Sequence, residues 1–294
     1  PAGKMLSEAW NFYKQHITTL SLIGIVPAIL LVPSVFNIEL AGVFMISILS
    51  AVVSLVTQNA LVLAVAESGT PTGGVGGAYR RGLSFFIPIV WASFLSGIAV
   101  LGGMLLFIIP GIIVGLYFSF YRFTVVLEQR RGLNALVASW HLAKGYLGAI
   151  LWRSFVFGIM TWIALMIITL IGGIAFSSAS QKVNNAGAQL IGNILVYGFV
   201  MPFGVAYVYI MYRALRQIKG EPIFESEELQ SARKKIIGLS IFAVVGGLLL
   251  MVLAGAFIVL LFHALIQSGK VPGGSAMGDA EWMNSLAQLF QLYK

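Results

Sequence analysis

The sequence predicts an all-α fold, a polytopic transmembrane helix bundle of about seven spans with amphipathic interfacial helices on its cytoplasmic side. Three observations predict it. Apolar residues make up 59% of the chain and charged residues 10%, against about 45–50% and 25% in soluble domains, so the surrounding solvent has to be lipid. Uncharged apolar runs recur along the chain, and each meets or approaches the ~20 residues that a ~30 Å hydrocarbon core requires. Finally, Lys and Arg gather in alternate connections: with the N-terminus inside, 15 of the 18 lie on the inner side, and only Lys182, Lys270 and Lys294 lie outside. That bias is the positive-inside rule and predicts N-in, C-out for seven spans.

The spans follow in order. Residues 17–36 (ITTLSLIGIVPAILLVPSVF) and 41–66 are joined by the short turn NIEL. Next come 85–101 and 103–127, divided near Gly102-Gly103, with Pro110 as either a kink or a boundary. Two long runs, 148–176 and 187–214, precede the last span at 237–266. Residues 1–266 thus form a membrane domain, and 267–294 an extracytoplasmic tail. In that tail Trp282, Leu286, Leu289, Phe290 and Tyr293 share a helical face suited to lying on the membrane, docking a protein partner or joining two copies of the chain.

Several connections carry helical patterns of their own. Met5, Leu6, Ala9, Trp10 and Tyr13 line one face of residues 5–16, and Leu133, Leu136, Val137 and Trp140 line one face of 133–144. A third segment, 226–236, places Glu227-Glu228 first and Arg233-Lys234-Lys235 last, the charge order that complements a helix dipole. Such helices suit the headgroup boundary, where Trp settles and Lys snorkels. A shift of 130 residues superposes Leu6 on Leu136, Trp10 on Trp140 and Lys14 on Lys144. This suggests a parallel pseudo-repeat, 5–128 and 133–220, with the last helix added. The glycine-rich stretch GTPTGGVGGAYRRG (69–82) lacks the Gly-Lys-Ser/Thr ending of a nucleotide loop and reads as a flexible inner loop, its amides beside Arg80-Arg81 being a candidate phosphate contact.

The order Ile109-Pro110-Gly111, an apolar helix, Glu128, then Leu136, Ser139-Trp140, Leu142 and Lys144-Gly145 resembles a pattern in uncharacterised bacterial membrane proteins. These are relatives of the membrane domain of glycerophosphoryl diester phosphodiesterase. The resemblance is sharp over about 40 residues and loose over 5–220. It implies a multi-helix domain in the bacterial cytoplasmic (inner) membrane. It brings no catalytic residues, since members with phosphodiesterase activity carry a separate soluble catalytic domain.

Chemistry-bearing residues are few. The chain has no cysteine, and its three histidines are far apart without ligand spacing, so neither metal nor cofactor is expected. The acids sit at span ends or outside the spans, and Ser139 and His141 point to different faces of one helix, so no catalytic residues are assigned and the chain is not read as an enzyme. The net charge of +8 points to an anionic lipid surface and not to nucleic acid. The expected function is therefore non-catalytic: organising lipids of the anionic inner leaflet, or partner proteins, through a basic amphipathic rim. Its headgroup and interface candidates are Arg80, Arg81, Arg130, Arg131, Lys144, Arg153, Trp10 and Trp140. The alternative is a transporter or channel for a small or lipid-like substrate, and its intramembrane polar candidates are Arg122, Thr57, Gln58 and Asn59.

Overall fold

In the computed structural model, which describes residues 2–31, 40–175 and 190–267, the chain is helical throughout, with no strand among the described residues. The elements are α1 (Ala2–Gln15), α2 (Ile17–Leu31), α3 (Leu40–Ala66), α4 (Gly74–Ser84), α5 (Phe86–Leu106), α6 (Ile108–Tyr117), α7 (Tyr121–Val126), α8 (Leu133–Ala143) and α9 (Leu147–Ala175). After these come α10 (190–195), a π-helical turn (Val196–Val200), α11 (Met201–Lys219) and α12 (Glu227–Gln267). Six helices are long and apolar enough to cross a membrane, or up to seven if the bent pair α1–α2 forms one. The all-α, multi-pass prediction therefore holds. The NIEL turn apart from Leu40, the ends of the spans written as 17–36, 148–176 and 187–214, the three outer lysines and the C-terminal tail lie outside the described residues.

Three boundaries differ from the sequence reading. The 85–127 region divides at Phe107 and not at Gly102-Gly103, with Phe107 alone extended between α5 and α6. Gly103 instead lets the two helices touch: a Cβ there would stand 2.9 Å from the Gly111 Cα. Pro110 falls in the first turn of α6, where its missing N–H costs no helical bond. The expected flexible loop at 69–82 is a turn followed by α4. Its glycines argue against a helix by propensity, yet Gly82 seats α4 tightly on α3, its Cβ position being 3.0 Å from the Ala60 nitrogen. Finally, 226–236 is no separate rim helix but the start of the 41-residue α12, ~60 Å long at 1.5 Å per residue.

Two compact units divide the chain at Ser240/Ile241, and the described part of the second is the continuation of α12. Within the first unit, packing is densest at the basic end. The buried residues cluster in Val56–Val65, 118–126, 135–143 and 206–215, while Phe44, Met45, Leu106, Ile109, Trp162 and Leu170 further along the spans are exposed. Lipid tails are as apolar as leucine, so burial alone does not hold such helices together, and close backbone approach and polar bonds have to.

The basic rim as a candidate functional site

α1 and α2 meet at His16 with an 88° bend, so if α2 crosses the bilayer, α1 lies in the membrane plane. Three short helices, α1, α4 and α8, each send a hydroxyl into an irregular stretch of a span. Pro202 has no N–H to return to the Gly198 carbonyl four residues earlier, and the fully buried Tyr13 of α1 donates its O–H to that carbonyl at 3.2 Å. Pro27 likewise deprives the Ile23 carbonyl of its helical donor, and Tyr79 of α4 donates there at 2.6 Å. The Tyr79 oxygen lies 2.8 Å from Thr57 Oγ, and with its own proton committed to Ile23 it accepts the Thr57 proton. Burial raises the Tyr79 pKa, so this donor stays protonated.

Ser139 of α8 does the same work at the 118–120 break between α6 and α7. Its Oγ donates to the Tyr117 carbonyl at 2.7 Å and accepts the Phe120 N–H at 3.1 Å. Thr124 Oγ1 adds a bond to the Ala135 carbonyl at 3.0 Å. Trp140 stacks on Tyr117 with ring centroids 5.6 Å apart. The segment that carries the family-like pattern is thus a splint for a broken span.

The predicted site residues separate into tied and free groups. Arg81 is bound by Glu67, whose carboxylate also accepts the Thr72 N–H (2.6 Å) and hydroxyl (3.0 Å). The hydrogen bonds from Arg81 are the main cause holding the Glu67 carboxyl down at about 2. Lys144 pairs with Glu228 at 2.9 Å and sits over the Trp140 ring at 4.9 Å. Lys14 stands over Trp10 in the same way at 5.1 Å. Arg130 lies 3.8 Å from Glu128 and 4.8 Å from the Phe224 ring. Arg80, Arg131 and Arg153 have no carboxylate within 4 Å. Arg130 and Arg131 share a cavity of about 290 Å³ with Ser84, Pro88, Val125 and Gln129.

The intramembrane polar candidates are not brought together as one path. Thr57 and Asn59 are fully buried and bind α3 to α4, Asn59 through Nδ2 to the Gly82 carbonyl at 3.2 Å. Gln58 is half-buried and makes neither bond. Arg122 is half-buried in α7, with an enclosed Nη1 that has no hydrogen-bond partner among the described residues.

Sequence reasoning missed a node at the inner boundary. Glu128, 10% exposed, accepts the Tyr212 O–H at 2.8 Å and lies 3.5 Å from Arg216, which also holds Glu221 at 2.8 Å. It missed Tyr13 and Tyr79 as well, although a tyrosine on an interfacial helix in a chain with prolines inside its spans was a usable signal. Among the described residues no group of three His, Cys, Asp or Glu could hold a metal ion. No family model, curated protein or solved structure matches the chain.

Proposed function

We propose that the chain is a non-catalytic integral membrane protein that organises anionic inner-leaflet lipids, or partner proteins, around its basic rim. One observation carries the reading. All fifteen described Lys and Arg lie in the rim helices and at the adjoining span ends, and only Arg81, Arg130, Lys144 and Arg216 have a carboxylate within 4 Å. Each free cation near an anionic leaflet contributes ~1 kcal/mol, whereas a paired one is already neutralised. The resemblance noted above supports a bacterial cytoplasmic membrane with the N-terminus inside.

The test exchanges the triple variant Arg80→Gln/Arg131→Gln/Arg153→Gln into vesicles of equal phosphatidylglycerol and phosphatidylcholine, then measures the lipid retained on extraction. Retained phosphatidylglycerol is expected to fall about tenfold or more relative to phosphatidylcholine, while Lys144→Gln, at a paired site, changes it little. An unchanged ratio in the triple variant refutes the reading. The transport alternative has Arg122 as its one supporting feature, since Thr57 and Asn59 are occupied in helix packing. It predicts substrate flux in proteoliposomes that Arg122→Gln abolishes.

A further inference from the structure

Beside α1 the rim holds a cleft of different chemistry. Met5, Glu8 and Phe12 of α1 form one wall, Val65 to Ser68 at the end of α3 a second, and Tyr209, Arg213 and Gln217 of α11 a third. The spacing of 209, 213 and 217 places them on one helical face, whereas Tyr212 and Arg216 turn to Glu128 on another. The cleft volume, about 690 Å³, lies in the ~300–1,000 Å³ range of small-molecule sites.

Glu8 and Arg213 face this one cleft, yet they are not within 4 Å of each other, and neither makes any other ion pair or side-chain hydrogen bond among the described residues. Opposite charges that share a cleft attract, and a surface glutamate and arginine have the reach to meet. Here they project from separate helices that pack on one another, α1 and α11, so the gap between them is set by the backbone. A plain anion at Arg213 would be repelled by Glu8, and a plain cation at Glu8 by Arg213. A molecule carrying both charges satisfies both ends.

We infer that this cleft binds a small zwitterion, a primary ammonium joined by a short linker to a phosphate, with the ammonium at Glu8 and the phosphate at Arg213. Tyr209, Gln217 and Ser68 supply hydroxyl and amide partners around it, and Phe12 closes one side. An aminophospholipid headgroup and a free phosphorylated amine share this chemistry. The lipid source rests on the membrane-rim reading above, and the free source does not.

The full-length protein is incorporated into vesicles of phosphatidylethanolamine, phosphatidylcholine and phosphatidylglycerol in equal parts, and the retained lipids are quantified with and without soluble phosphoethanolamine. Phosphatidylethanolamine is expected to be enriched at least fivefold over phosphatidylcholine, whose trimethylated nitrogen cannot donate hydrogen bonds to Glu8. Glu8→Gln and Arg213→Gln are each expected to remove the enrichment, Glu8→Asp to keep part of it, and both residues are exposed, so the thermal melt stays unchanged. Competition by phosphoethanolamine assigns binding to the headgroup chemistry alone, open to either source. Enrichment without competition assigns it to the lipid. Binding of phosphoethanolamine without lipid enrichment supports the free source. The inference is overturned if neither binds, or if the preference survives both Gln variants. Phosphatidylglycerol retention that depends on Arg80, Arg131 and Arg153 is a separate readout, so the two proposals fail independently.

Discussion

Tyr79→Phe removes one oxygen and tests the claim that rim helices repair proline-broken spans. The variant leaves the Ile23 carbonyl without the donor that stands 2.6 Å away, and Pro27 cannot replace it. Thr57 also loses its acceptor, but its hydroxyl can turn to a carbonyl of its own helix, so one orphaned group remains. Such a carbonyl costs ~1–3 kcal/mol in general, while interhelical hydrogen bonds in membranes average ~0.6 and reach ~1.7 kcal/mol because separated helices find other partners. Here the separated α2 does not, since Pro27 withholds the N–H in that state too. The upper part of the membrane range applies, about 1.5 kcal/mol, roughly a tenfold shift in the unfolding equilibrium. The assay is denaturation by SDS in mixed micelles, followed by circular dichroism, for Tyr79→Phe, Pro27→Ala and the double variant. Pro27→Ala returns an N–H to Ile23, so in that background Tyr79→Phe is expected to cost about 0.5 kcal/mol or less, giving a coupling of ~1 kcal/mol. Equal cost in both backgrounds would refute the argument.

Three further outcomes follow from the same geometry. Ser139→Ala orphans the Tyr117 carbonyl and the Phe120 N–H together, and a loss of ~2 kcal/mol is expected in the same SDS titration. Gly24 packs against the Tyr197 carbonyl and stands 2.7 Å, from its Cβ position, from Pro202 Cγ. Gly24→Ala is therefore expected to cost ~1–3 kcal/mol by overpacking, although alanine is the better helix former; a gain in stability would contradict the contact. The Glu67 carboxyl is held below its usual value, at about 2 and chiefly by Arg81. Its contribution is therefore present above the unfolded value of ~4.3 and disappears as pH falls from there through about 2. Hydrogen exchange of the Thr72 amide, compared with Glu67→Gln, is expected to rise over that window in the parent and to be high and flat in the variant.

Much of the architecture was legible because bilayer physics writes it in composition: apolar runs gave the spans, and the one-sided Lys and Arg accompany the rim. The hinge at Phe107 was not legible, because an apolar turn looks like the helices it joins. Neither was α4, where glycine propensity opposes a helix that packing on Val56 and Ala60 sustains. The site was legible by residue type and not by pairing. Arg81, Lys144 and Arg130 are as basic in sequence as Arg80 and Arg131, and only the fold brings Glu67, Glu228 and Glu128 to the first three. Thr57 and Asn59 looked like an intramembrane polar path for a related reason, since the partners that occupy them, Tyr79 and Gly82, are 22 and 23 residues away.

The three rim helices bear on the suspected repeat. Lys14 over Trp10 and Lys144 over Trp140 have nearly the same geometry, 5.1 and 4.9 Å, at the positions that the 130-residue shift equates. The clasps do not follow that shift: Tyr13 of α1 corresponds to Ala143, and Ser139 of α8 to Ala9. They also repair different faults, a proline-freed carbonyl in one case and a break between two helices in the other. The shared pair is therefore what a headgroup boundary asks of any helix lying along it, an indole at the interface with a cation one turn on. The unshared hydroxyls are what each particular span needs. Anchors repeat because the membrane is the same, and clasps differ because the broken backbones are not, so the Trp–Lys coincidence has a sufficient cause without duplication.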